Sequence, residues 1–264
     1  MRFRIHLTRQ GKGSFLPINY QYELSSAIYK IIDRADSAFS GFLHREGYLA
    51  FGKRFRLFTF SRIGFNGYRV VRDAGRIEHF GGGASFEIGF LMDRAAEEFV
   101  RGIFIDQQLE LGDRISRVSY RVSHIEATAP PLFRETMRYR CLSPVFVRRK
   151  RPDGGEDYLH PGDEAYAELV FRNLVSKAGA LAGMGEDGLT MDTDAFQMVP
   201  RGKIYKNGVR IKQHTPGESQ LVGYLYEFEL TAPVELHEIG YHAGFGHLNS
   251  QGFGCVGVRE FEDS

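Results

Sequence analysis

The sequence predicts an α+β protein built as two tandem units, and three observations carry that prediction. Segments alternating apolar and polar residues, as half-buried strands do, are interleaved with segments of helical periodicity. The order strand, helix, strand, strand, helix, strand occurs once in the first half and again in the second. Between the halves stands Ala129-Pro130-Pro131, whose prolines cannot continue a strand and favour an extended connector. The repeated order is that of the ferredoxin-like split β-α-β motif, with expected boundaries at residues 1–128 and 133–264. At 264 residues the chain is near the upper limit for one hydrophobic core and accommodates two domains of ordinary size.

The first strand is Arg2 to Thr8, where Phe3, Ile5 and Leu7 share one face and Arg2, Arg4, His6 and Thr8 the other. From Gln21 to Arg34, Leu24, Ala27, Ile28, Ile31 and Ile32 fall at helical spacing. A short helix follows over Ser37–Leu43. Strands are expected at Arg56–Ser61, Tyr68–Val71, Glu78–Phe80 and Ser85–Leu91. Asp93 is expected to cap a helix that buries Ala96, Phe99, Val100 and Ile103, before strands at Leu109–Leu111 and Ile115–Ile125. In the second half a strand is expected at Arg138–Val147 and a helix at about Asp163–Leu181. Strands at Ile204–Ile211 and Gln220–Leu230, a helix at Val234–Tyr241 and a strand at Cys255–Phe261 follow. Asn207-Gly208 is a hairpin signal within the first of that strand pair.

Composition narrows the function classes. With 42% hydrophobic and 25% charged residues, and no window near the roughly 18 apolar residues of a membrane helix, membrane and disordered classes are excluded. The N-terminus lacks an apolar secretory stretch and there are two cysteines, Cys141 and Cys255, so a cytoplasmic protein without disulfides is expected. The net charge of +1 is a cancellation between blocks. Residues 1–81 hold 14 Lys/Arg against 6 Asp/Glu, 134–151 hold 7 against 1, and 201–214 hold 5 against none, while the intervening segments are acidic. Three basic blocks on a nearly neutral chain suit a polyanion binder, and they equally suit solvated faces.

Most catalytic motifs fail. His237 and His242 are five residues apart, about 140° round a helix, and cannot chelate one ion. No nucleophile elbow, phosphate-binding P-loop or paired-cysteine zinc site is present, so neither a metal nor a cofactor is expected. The densest pattern is the run 244–254, where Gly244-Phe245-Gly246 and Gly252-Phe253-Gly254 flank a five-residue turn. Such glycines either expose backbone N–H groups to a phosphate or make a tight helix-to-strand connection held by the phenylalanines.

The run GYHAGFGHLNSQGFGCVGV at 240–258 resembles the glycine-rich loop of the CRISPR-associated repeat-RNA endoribonucleases, number six among the Cas proteins. The segments MRFRIHL, AIYKII, FLHREG and LSPVFV, in that order, are similar to other landmarks of that family. The resemblance implies two ferredoxin-like domains and metal-independent cleavage of CRISPR precursor RNA, leaving a 2′,3′-cyclic phosphate and a 5′-hydroxyl. Because the RNA supplies its own 2′-hydroxyl nucleophile, the protein must align it, move two protons and stabilise charge on phosphorus.

His44 matches the family's catalytic histidine, and imidazole titrates near 6.5, suited to proton transfer. Tyr29 matches its catalytic tyrosine and lies about 140° from Leu24 on the helical wheel, off the apolar stripe. For the cation, Arg56 occupies the family's lysine position counted back from the following strand, Lys53 matches by residue type, and Arg54 lies between them. Backbone contacts to RNA are expected from Arg148, Arg149, Lys150 and Arg151, from Lys203, Lys206, Arg210 and Lys212, and from Gly244, Gly246, Gly252 and Gly254. CRISPR repeat RNA is the expected partner and no membrane is, while other CRISPR-associated proteins or a second copy of the chain stay open. The rival reading is a non-catalytic RNA-binding subunit of an interference complex.

Overall fold

The computed structural model describes residues 1–183, 195–211 and 218–260. In the first half a sheet runs in the spatial order Gln108–Gly112, Arg117–Ala127, Arg2–Gln10, Gly83–Phe90, Phe58–Phe60, every neighbour antiparallel. In the second half the order is Gln197–Ile211, Ser219–Thr231, Thr136–Cys141, Val256–Arg259, again antiparallel throughout. In both, the first strand of the motif lies between the third and fourth, and the second lies outside the third. That is the ferredoxin-like order in duplicate. The first sheet gains the edge strand Gln108–Gly112, hairpin-paired to Arg117–Ala127.

Helices α1 (Gln21–Ala35) and α3 (Asp93–Ile105) cover the first sheet, burying Leu24, Ile28, Ile32, Ala96 and Phe99 against Ile5, Leu7, Phe60 and Ile88. They cross closely, since a Cβ at Gly102 would lie 1.8 Å from the Ile31 carbonyl oxygen. Helix α2 (Ser37–Arg45) starts at Asp36, whose side chain accepts the Phe39 N–H. Helices α4 (Glu164–Leu181) and α5 (Val234–Ala243) join Tyr139, Phe228 and Leu230 in a second core through Val170, Leu174, Leu236 and Ile239.

Several local expectations are corrected. The strand expected to reach Val147 ends at Cys141, because the chain leaves the sheet at Leu142-Ser143-Pro144 and resumes as an Arg148–Lys150 hairpin strand. Asn207-Gly208 makes no turn: it pairs with Gly223 and Val222 in mid-strand, so long-range pairing overrides local turn preference. Asp93 is the first residue of α3 rather than its cap; Met92 holds that position and makes no side-chain cap bond.

One exception to the alternating first strand joins the halves. Arg2 is 1% exposed, although it belongs to the polar face. Its guanidinium meets Glu87 at 3.1 Å, donates to Tyr241 O and Cys255 Sγ, and lies 4.2 Å over the Tyr241 ring. Nearby, Arg62 N donates to Leu142 O and Thr59 Oγ1 to Phe253 O, both across the same seam. Removing one member of such a buried ionic cluster is strongly destabilising. Arg2→Met is therefore expected to cost about 3 kcal/mol of unfolding free energy in urea titration, and a loss below about 1 kcal/mol would contradict this role for the seam.

Candidate active site

A cleft of about 720 Å³ opens between the two halves. One wall comes from α1, the end of α2 and the hairpin formed by Tyr48–Ala50 and Lys53–Phe55; the other comes from α4, Arg148 and the glycine-rich turn. Tyr29, His44, Lys53, Arg54 and Arg56 all line it, brought together from three separate elements. The hairpin reaches the far wall because Phe51, at its tip, packs on α4, where a Cβ at Gly179 would come within 2.8 Å of the Phe51 ring.

Tyr29 and His44 meet edge to face at 5.4 Å between ring centroids, and Tyr29 also abuts Phe58 at 5.7 Å. Tyr29 is half-buried at the margin of the core, with its hydroxyl against the side chains of Ser250 and Arg56. Burial raises its pKa, while Arg56 and the hydrogen bonds of Ser250 and Arg56 oppose the rise. His44 is exposed, in the last turn of α2. Arg56 secures that turn: Nε donates to Leu43 O at 3.0 Å, NH2 to His44 O at 2.7 Å and NH1 to Arg54 O at 3.3 Å. Arg56 thus fills otherwise unpaired helix-end carbonyls. Lys53 has no carboxylate partner among the described residues, and desolvation together with Arg172 draws its pKa below the ordinary lysine value.

The glycine-rich turn follows α5 and contains a 3-10 segment, Asn249–Gln251. Phe245 and Phe253 are fully buried, and Asn249 Nδ2 donates to both their carbonyls. Gly244 and Gly254 have φ of 86° and 75°, and a Cβ at Gly254 would lie 2.0 Å from Phe245 O, so only glycine fits there. The phosphate-cradle expectation for these glycines is corrected. Gly244, Gly252 and Gly254 are buried and donate their N–H groups to Gly240, Asn249 and Pro144. Gly246 is also buried, packed where a Cβ would lie 2.5 Å from Phe146 O, but it borders the cleft. The arc from Gly246 to Gln251 forms the wall, held to α1 by Ser25 Oγ donating to Ser250 O at 2.6 Å.

Three cleft residues were not singled out from the sequence. Lys177, 2% exposed, donates from Nζ to Gly244 O and Gly246 O, and burial drives its pKa down to about 7. His247 presents a buried Nδ1 with no partner among the described residues, and Asn173 does the same with Oδ1. Burial, then Lys177, Arg148 and Lys53, push the His247 pKa down to about 4. A signal existed for Lys177: with Val170 and Leu174 it continues the apolar stripe of α4 at i and i+7, where a lysine is out of place. Of the non-glycine residues with left-handed backbone among those described, Leu57 and Leu248 border this cleft, and Phe51 is at the tip of the hairpin that lines it.

The expected RNA-contact residues divide. Arg148, Arg149 and Arg151 pair with Glu156, Asp157 and Asp153 of their own hairpin, at 2.7, 3.2 and 3.4 Å, while Lys150 is exposed. Of these four, Arg148 lines the cleft. Lys203, Lys206 and Arg210 are exposed along the Gln197–Ile211 strand, with Lys203 Nζ 5.2 Å over the ring of exposed Tyr205. Lys212 lies outside the described residues. His237 is held by Tyr139 Oη at Nδ1 and by Glu135 O at Nε2. No group of three His, Cys, Asp or Glu positioned to hold a metal occurs among the described residues.

Because Lys177 has a folded-state pKa near 7 against an ordinary 10.5, the unfolded chain binds more protons between those values. Stability is therefore expected to rise as pH increases from about 7 to 10.5, by up to about 1.4 kcal/mol for each pH unit crossed. The gain is absent below pH 7. Lys177→Met should flatten this part of the profile in denaturant titrations, and an unchanged slope would contradict the burial of its charge.

Comparison with known proteins agrees with this architecture. The family description "CRISPR associated protein Cas6, C-terminal" matches residues 127–258, and "CRISPR-associated protein Cas6, N-terminal" matches 15–126. The chain is 29% identical over 257 residues to "CRISPR-associated endoribonuclease Cas6 1" of Methanocaldococcus jannaschii, covering 96% of this chain and 91% of that protein. A solved structure described as "CRISPR associated protein Cas6" is 27% identical, with a TM-score of 0.73 over 98% of this chain and 99% of that one. A Cas6-related protein from Pyrococcus furiosus, 24% identical, shares the fold with a TM-score of 0.82, over 99% of both chains. With both halves matched in order on a duplicated ferredoxin-like fold, the chain belongs to the Cas6 family of CRISPR-associated proteins.

Proposed function

We propose that this chain is a metal-independent endoribonuclease that binds CRISPR repeat RNA and cuts precursor transcripts into guide RNAs. The supporting observation is the meeting of Tyr29, His44, Lys53 and Arg56 in one cationic cleft, from two successive helices and the segment that follows them. The 2′-oxygen of the RNA attacks the adjacent phosphorus, its proton is withdrawn, and the bond from phosphorus to the 5′-oxygen breaks as that oxygen gains a proton. His44 serves one of the two transfers, accepting the 2′-hydroxyl proton as base or protonating the departing 5′-oxygen as acid, water exchanges the other proton, and Tyr29 hydrogen-bonds the 2′-hydroxyl to align it. Lys53, free of a carboxylate, stabilises charge on the phosphorane. Arg56, engaged by three carbonyls, positions His44 and Tyr29. Lys150, Lys203, Lys206 and Arg210 add backbone attraction. Division into domains at Ala129-Pro130-Pro131 is part of the same proposal.

Incubation with repeat RNA in EDTA is expected to yield a 2′,3′-cyclic phosphate and a 5′-hydroxyl. His44→Ala should slow single-turnover cleavage about 100- to 10,000-fold while leaving RNA affinity intact. Undiminished cutting by that variant would refute the site, and binding without cutting by the wild type would make the chain an RNA-holding subunit.

Lys53 and Arg56 separate by a second measurement. Lys53→Met is expected to slow cleavage about 100-fold without lowering the Tm, whereas Arg56→Met lowers both rate and Tm. Equal Tm values for the two variants would contradict the bracing role of Arg56.

A further inference from the structure

Besides Tyr29 and His44, the cleft carries a second concentration of positive charge. The Lys177 ammonium is enclosed and held by two carbonyls, with no carboxylate within ion-pair distance among the described residues. Arg148 also lines this cleft, 34% exposed at its side chain and paired on one side with Glu156. His247 lines the same cleft with Nδ1 buried and unpartnered among the described residues, close enough to Lys177, Arg148 and Lys53 for all three to disfavour its protonation. An ammonium buried without a carboxylate carries a desolvation cost that its two carbonyls only partly offset. An anion seated beside it supplies the missing countercharge, and is held by charge-assisted bonds from the arginine and the imidazole.

We propose that His247, Arg148 and Lys177 form a second phosphate subsite, in the same cleft as Tyr29 and His44, that grips the phosphodiester next to the one being cut. The proposal rests on the RNA-cleavage reading above and adds to it how the chain is held in register. The cleft volume of about 720 Å³ is of the size that holds a whole small-molecule ligand, well beyond one phosphate, so it has room for consecutive phosphodiesters of one strand. Lys53, on the hairpin, lines the same cleft within electrostatic reach of His247. Gripping a neighbouring phosphate fixes the ribose between the two, which is the alignment an in-line attack needs.

Two experiments test the subsite. Inorganic phosphate titrated into the wild-type protein at pH 7 should shift the NMR signals of the His247 imidazole saturably, and Arg148→Met should weaken that binding about tenfold. No saturable shift, or one indifferent to Arg148→Met, overturns the proposal. In the second, repeat RNA carries a neutral methylphosphonate in place of one phosphate at a time on either side of the cut. The wild type is expected to lose about tenfold in single-turnover cleavage at one flanking position. His247→Gln, slowed similarly on natural RNA, should lose nothing more at that position. Independent, multiplying losses, or a wild type indifferent to both flanking substitutions, overturn the subsite while leaving the cleavage reading standing. A wild type that binds phosphate at His247 but never cuts repeat RNA removes the cleavage reading and retains the anion site.

Discussion

The junction between the two sheets governs the rest of this structure. A ferredoxin-like sheet with its helices on one side leaves the other side to be covered, and here each half covers part of the other. Arg2, buried against Glu87, Tyr241 and Cys255, spans that junction with a charge it cannot give back to water. Thr59 and Ser25 of the first half bond the carbonyls of Phe253 and Ser250 in the second, so the glycine-rich turn is anchored by both. The cleft walls keep their separation because the turn cannot move without breaking those bonds.

That arrangement explains where unfavourable features accumulate. A lysine without a carboxylate, a histidine and an asparagine with unpaired buried atoms, and the left-handed Leu57 and Leu248 all border one cavity. Each costs folding free energy, and well-packed cores on both sides, around Ile88 and Phe90 and around Tyr139 and Phe228, supply the stability that tolerates them. A positive, partly desolvated cavity is what a phosphodiester requires and what a resting protein would otherwise avoid.

Much of the fold was legible because burial follows periodicity. The Phe3, Ile5, Leu7 alternation and the Leu24 to Ile32 stripe bury as their spacing implies. Arg2 departs from it because the second half covers its face, information no local window holds. Asn207-Gly208 misled for a related reason: the strand pairs across it, and a turn preference of two residues yields to a long ladder. Tyr29 and His44 were legible from family likeness and a wheel, whereas the bracing of His44 by Arg56 is a tertiary fact. Lys177 was visible as a charge on an apolar stripe, but its acceptors lie on a turn nearly seventy positions later. The glycine run was conspicuous, and it folds as the packed connection: its glycine ends spend their N–H groups inside the protein, while its middle lines the cleft.

The contact of Phe51 with Gly179 has its own consequence. It makes the hairpin a strut whose outer end rests on a bare patch of helix, so the aperture of the groove is set by the size of one side chain on α4. Bulk added at that footing would lever the strut outward and carry Lys53 with it, widening the passage while every reactive group kept its own chemistry.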